Sequence, residues 1–169
     1  MTPKRGLTRF LANARRSGAN STLRLDSDKQ IADLLNAVKR IAVLGVSARP
    51  ERPSHQVFQF LLEQGYDAIP VNPQLAGQTL LGKPVLESIS AATAEGPVDM
   101  VDVFRDSRFL PEVTQDVLRL GIKALWTQLD VTHPEAEQTA LEAGVTLVVD
   151  RCPAIEVPRL QRLGLMPAV

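Results

Sequence analysis

The chain has 169 residues, 44% of them apolar and 22% charged, which suits one soluble globular domain with a sizeable core. Nineteen basic side chains balance nineteen acidic ones, so net charge gives no ground for a nucleic-acid or membrane partner. Cys152 as the single cysteine excludes an intrachain disulfide, two histidines leave little for a metal centre, and no apolar run nears the roughly 18 residues of a membrane helix. The composition reads as that of a cytoplasmic protein.

The charge balance is unevenly distributed. Lys4, Arg5, Arg9, Arg15, Arg16 and Arg24 all precede the first acidic residue, Asp26, so residues 1–26 read as a basic, flexible tail with one short apolar cluster at Leu7, Phe10 and Leu11. From Ser27 the pattern changes. Ser27 predicts a helix cap, followed by Ile31, Leu34, Leu35 and Val38 at helical spacing up to about Lys39. The apolar run 41–44 predicts a strand that stops at Gly45, and Ser54 is expected to cap a helix carrying Val57, Phe58, Leu61 and Leu62. A second strand, 68–71, ends at Asn72-Pro73, and a long loop to Lys83 leads to a weaker element over 85–89. A strand over 98–104 follows, then a helix opened by Ser107 and closed by Gly121, and a strand over 122–126. A helix with Pro134 in its first turn runs to Gly144, and a last strand, 145–149, leads to a C-terminal segment after Asp150.

Strands alternating with glycine-terminated helices specify right-handed crossovers and a parallel sheet, so the fold class is α/β, a single doubly wound domain over 27–163 with a short tail, 164–169. Ligands of such sheets sit outside the carboxyl ends of the strands. Five loops are expected there, carrying Gly45, Val46, Ser47, Arg49, Arg52 and Ser54; Val71, Asn72 and Pro73; Val103, Phe104 and Arg105; Trp126; and Asp150 to Pro153. The first loop lacks the later glycines of a dinucleotide fingerprint, and Asn72 stands where an acidic residue would hold a ribose. That weakens an NAD(P)-dependent oxidoreductase reading. Glycine, hydroxyls and Arg49 and Arg52 at a helix start suit a phosphate or pyrophosphate; the plain alternative is a turn glycine, a helix cap and solvated arginines.

Val43-Leu44-Gly45-Val46-Ser47, Arg49-Pro50-Glu51-Arg52-Pro53-Ser54, Ile69-Pro70-Val71-Asn72-Pro73, the run from Val98 to Arg105, Leu125-Trp126-Thr127-Gln128-Leu129 and Asp150-Arg151-Cys152-Pro153 together resemble the small single-domain CoA-binding proteins. The resemblance implies a Rossmann-like fold related to the CoA-binding domain of the succinyl-CoA synthetase alpha subunit, with coenzyme A or an acyl-CoA lying across the carboxyl edge. It implies that Gly45, Val46, Ser47, Arg52 and Ser54 face phosphates, that Val71, Asn72 and Pro73 line the next stretch, and that Val103, Phe104 and Arg105 form the adenine-side wall. Arg49, Arg52 and Arg105 would then be the counter-charges. The larger relatives carry a phosphorylated histidine on a further domain, and no catalytic constellation is evident here.

Single residues keep two readings. Trp126 and Phe104 each either stack on an adenine or close the core. Cys152 is a candidate redox thiol, able to form a mixed disulfide with the CoA thiol if Arg151 favours its thiolate, or else simply packs under the C-terminal segment. Asp99 and Asp102 point to opposite faces of one strand and cannot act as an acid/base pair; Asp102 is expected to be buried and hydrogen-bonded to loop backbone. The basic tail could contact nucleic acid, but no stacking platform accompanies it, and a solvated tail is the favoured reading. No motif speaks to oligomeric state.

Overall fold

The computed structural model describes residues 23–169, so the expectations for the earlier tail lie outside the described residues. In chain order the elements are α1 (Asp28–Ala37), β1 (Arg40–Leu44), α2 (Pro53–Glu63), β2 (Asp67–Val71), β3 (Thr79–Leu80), β4 (Lys83–Pro84), α3 (Ile89–Glu95), β5 (Met100–Val103), α4 (Leu110–Arg119), β6 (Ala124–Thr127), α5 (Pro134–Glu142), β7 (Thr146–Val148) and α6 (Pro153–Arg162). Five strands form one parallel sheet in the order β2-β1-β5-β6-β7, and β3 and β4 make a separate antiparallel hairpin. This is the expected doubly wound α/β architecture.

Period-two alternation divides the core between the two faces of the sheet. Ile41, Val43, Met100, Trp126 and Val148 pack against α1, α2 and α6. Ala42, Leu44, Val101, Val103, Leu125 and Leu147 pack against α3, α4 and α5. Phe58, Leu61, Leu110 and Leu160 are fully buried, each contributing about 1.5–3 kcal/mol relative to exposure. No helix among the described residues is long and apolar enough to cross a membrane.

Local chemistry explains where the helices begin. Ser27 caps α1 through a capping box: its hydroxyl accepts from the Gln30 N–H at 3.2 Å, and the Gln30 carboxamide oxygen accepts from the Ser27 N–H at 3.3 Å. The expected cap of α2 is corrected. Arg52 occupies the cap position without a side-chain bond, Pro53 is the first helical residue, and Ser54 is already inside the helix. Likewise Asp106, not Ser107, caps the single 3-10 turn that leads into α4, accepting from the Arg108 N–H at 3.0 Å.

The long loop after β2 is in fact structured. Asn72 caps a 3-10 turn, the β3–β4 hairpin follows, and Leu86 bridges back to Val71 before Ser88 caps α3. Both expected tails are tied down at their inner ends. Leu23 and Leu25 pack on opposite faces of the sheet, Arg24 bridges to Leu147, and the Leu25 N–H donates to the Leu147 carbonyl at 2.9 Å. The boundary at Ser27 therefore falls inside the fold. At the other end Asn36 Nδ2 donates to the Leu165 carbonyl at 3.2 Å, holding the chain after α6 against α1.

Candidate functional site

From β1 the chain crosses to β2 on one side, and from β2 it crosses to β5 on the other, so α2 and α4 leave neighbouring strands toward opposite faces. Between the carboxyl ends of β1 and β5 lies the switch point at which such sheets bind ligands. Leu44 is level with Val71 on one side and Val103 on the other, which brings the three exits together.

Gly45 sits at the narrowest place. Its φ is +91°, and a Cβ there would lie 2.5 Å from the Phe104 carbonyl oxygen and 3.3 Å from Arg105 Cγ. The glycine is thus imposed by the backbone leaving β5, rather than by a ligand alone. Beyond it the loop is fixed by its own polar groups. The Ser47 N–H donates to Ser54 Oγ at 3.0 Å, the Arg49 N–H to Ser47 Oγ at 3.1 Å, and Asn72 Nδ2 to the Val46 carbonyl at 3.0 Å. His55 Nδ1 lies 2.9 Å from the Ser47 carbonyl; a carbonyl only accepts, so Nδ1 carries the proton. His55 is therefore a structural clamp on the first loop. As N-cap of α5, His133 accepts from the Ala136 N–H at 3.2 Å, so both histidines have local structural work.

The remaining predicted residues divide into lining and core. Val46, Val71 and Val103 are fully buried, so only their backbone can face a ligand. Ser47, Asn72, Phe104 and Arg105 are half-buried, and Arg49, Arg52 and Pro73 are exposed. Arg49 meets Glu51 only at 3.9 Å between well-exposed side chains, a contact of little worth. Arg52 and Arg105 have no carboxylate partner among the described residues, and Arg105 lies over the Phe109 ring at 4.1 Å. Three guanidinium groups thus stand at this edge with almost no internal counter-charge.

Trp126 is a correction. Its side chain is fully buried and its Nε1–H donates to the Arg151 carbonyl at 2.7 Å, so it closes the core and offers no face to an adenine. The conditions expected to activate Cys152 are also missing. The thiol is nearly buried, and burial pushes its pKa up, reinforced by the Asp102 and Glu156 charges, while the Ala154 and Ile155 amides pull the other way. Arg151 is directed to Glu156 at 3.5 Å and to the Asp26 carbonyl at 3.2 Å, so it is committed elsewhere.

Asp102 and Gln128 form a buried pair that sequence reasoning did not assemble. Asp102 lies in β5 between Val43 and Trp126, one residue before the strand ends. Gln128 Nε2 donates to Asp102 Oδ1 at 2.7 Å, and Oδ2 has no partner among the described residues. Its partner is thus a loop side chain instead of the expected loop backbone. Burial pushes the carboxyl up to about 7, against the opposing pull of the Gln128 bond. Asp99, by contrast, accepts from the Lys39 and Arg40 N–H groups at 2.9 Å at the far end of the sheet. A carboxylate in the middle of a central strand demands a donor, and that demand was the available signal for Gln128.

Comparison with known proteins bears on the ligand class. Residues 39–158 match the family model described as CoA binding domain. The chain is 38% identical to the uncharacterized protein YneT of Bacillus subtilis over 126 residues, covering 75% of this chain and 90% of that one. It is 31% identical to the ADP-forming succinate–CoA ligase subunit alpha 2 of Archaeoglobus fulgidus over 101 residues, which are 57% of this chain but only 35% of that protein. Among solved structures, the cell-free ID.343 protein of Thermus thermophilus superposes with a TM-score of 0.75 at 39% identity, over 80% of this chain and 99% of that one. At 17% identity and a TM-score of 0.52, a Rex-family repressor shares the fold alone, over 80% of this chain and 63% of that one. The match over most of the sheet and its carboxyl-edge loops shows that this chain belongs to the CoA binding domain family.

Proposed function

We propose that the protein binds coenzyme A, free or acylated, across the carboxyl edge between β1 and β5, and acts as a binding module without a catalytic step of its own. One observation carries this reading beyond the family match: Arg49 and Arg52 on the loop after β1 and Arg105 on the loop after β5 have almost no carboxylate partners among the described residues, although the chain after its basic N-terminal stretch is acidic. Unneutralised guanidinium groups in such a background suit a polyphosphate. The Ser54 N–H, on the first turn of α2 and without a partner in the described chain, adds a backbone donor and the positive end of the helix. Phe104 is half-buried and packs against the core on the sheet face of α1, α2 and α6.

Calorimetric titration with coenzyme A, acetyl-CoA, NAD and NADP tests the reading. Saturable binding of the CoA compounds alone is expected. Binding of NAD or NADP without CoA would replace it with a dinucleotide site, and comparable affinity for free and acetylated CoA would place the acyl end in solvent. Mass spectrometry of small molecules that copurify with the native protein is expected to find a CoA mass.

A further inference from the structure

The core one residue below the carboxyl edge holds a group that binding by charge alone leaves unused. Asp102 is fully buried one residue below the carboxyl ends of β1 and β5, with one oxygen bonded to Gln128 and the other without a hydrogen-bond partner among the described residues. Gln128 in turn is tied to the same strand through its N–H, which donates to the Val103 carbonyl at 3.3 Å. We propose that Asp102 couples ligand occupancy to proton uptake: an anionic ligand seated in the crevice drives its carboxyl into the neutral acid, so binding tightens as pH falls. This rests on the coenzyme A reading above.

The surroundings leave few competitors. Val43 and Trp126, the neighbours on β1 and β6, carry no charge. From α6 come the Cys152 thiol and Glu156, the latter held by Arg151 and Arg159. From α2 comes His55, clamped on the Ser47 carbonyl, and on α1 Asp28 is paired with Arg159. Among the described residues no cation meets Asp102, so its negative charge has only the Gln128 amide to set against desolvation. Several phosphate charges above it would raise the energy of that anion further, and at short range through protein this repulsion is weakly screened. Each pH unit by which the ligand displaces the carboxyl's titration makes binding roughly tenfold tighter below the titration than above it.

The test is calorimetry of coenzyme A with the wild-type protein at about pH 7.5 in buffers of differing ionisation enthalpy, repeated with Asp102→Asn. Net proton uptake is expected in the wild type and none in the variant, which should still bind. Arginines lower the pKa of a phosphate and so release protons, the opposite sign. Binding without uptake overturns the proposal and leaves the coenzyme A reading intact, whereas absence of binding overturns both. Uptake that persists in the variant assigns it to another group and overturns the role of Asp102. If the variant does not fold, the wild-type titration is supplemented by the carbon-13 signal of the Asp102 carboxyl, which should shift toward the protonated form on adding coenzyme A at constant pH and overturns the proposal if it stays still.

Discussion

Two residues less than ten positions apart in the first loop separate folding from recognition. Gly45 holds a left-handed backbone and faces the Phe104 carbonyl across a gap too small for a Cβ. Gly45→Ala should therefore lose more than about 1 kcal/mol of unfolding free energy in denaturant melts. Arg52 is exposed, and its side chain makes no cap hydrogen bond and no ion pair among the described residues. Arg52→Ala should leave the melt unchanged and weaken coenzyme A binding by about 1–3 kcal/mol, the range of a charge-assisted hydrogen bond; unchanged affinity would remove Arg52 from the site. Asp102 adds a pH signature. In the unfolded chain its carboxyl ionises near 3.8, in the fold near 7, so between those values the folded state holds the extra proton. Its contribution is fully present below about pH 4, falls by roughly 1.4 kcal/mol per pH unit as pH rises toward 7, and is flat above. Asp102→Asn lacks that slope, so its unfolding free energy should gain on the wild type from pH 4 to 7; parallel curves would refute the buried-acid assignment.

Among the elements, those legible in the sequence are those whose signal is local. The strands around β1, β2, β5 and β6 are short apolar runs ended by glycine or a polar loop, and α1 announces itself by Ser27 and Gln30. Replacing that cap, Ser27→Ala, should cost about 1 kcal/mol in a thermal or denaturant melt, with Asp28–Arg159 retained as the tie between α1 and α6. The missed elements lacked such signals. Helix α3 has seven residues, ISAATAE, with Ile89 and Ala92 as its buried side chains, too few to show a period. Helix α6 begins with a proline and contains Pro158, which reads as a break, yet Val157 and Leu160 are buried and hold it on the sheet. The hairpin of β3 and β4 rests on two residues a side, and its pairing is nonlocal information that spacing does not carry. In the site, loop positions were legible because they follow strand ends, but whether a side chain at a strand end turns inward was not: Trp126 and Val103 belong to the core because of the sheet face they occupy, set by register.

At the scale of the whole molecule, the charge asymmetry of the sequence meets the exposed edge of the sheet. Strand β7 is the last in order, and its outer side would offer unpaired backbone groups to other chains. Residues 23–26 cover it. Besides the Leu25–Leu147 bond, Arg24 Nη1 reaches Glu137 Oε1 at 3.1 Å, Glu137 Oε2 accepts from the His133 N–H at 2.6 Å, and Arg151 Nη2 donates to the Asp26 carbonyl at 3.2 Å. The last of the six early cations is thus part of the fold, while Lys4, Arg5, Arg9, Arg15 and Arg16 precede the described residues. Two shortened chains separate these roles. One beginning at Leu23 keeps the cover and should melt with the full chain. One beginning at Ser27 loses an edge hydrogen bond, an ion pair and two packed leucines, and should be less stable by roughly 2–4 kcal/mol and more prone to associate through β7. Any salt-dependent affinity for nucleic acid must accordingly be judged between the full chain and the Leu23 form, since a loss seen only on cutting to Ser27 reports an uncovered sheet edge rather than missing cations. Equal stability of the two shortened chains would show that the segment lies on the edge without protecting it.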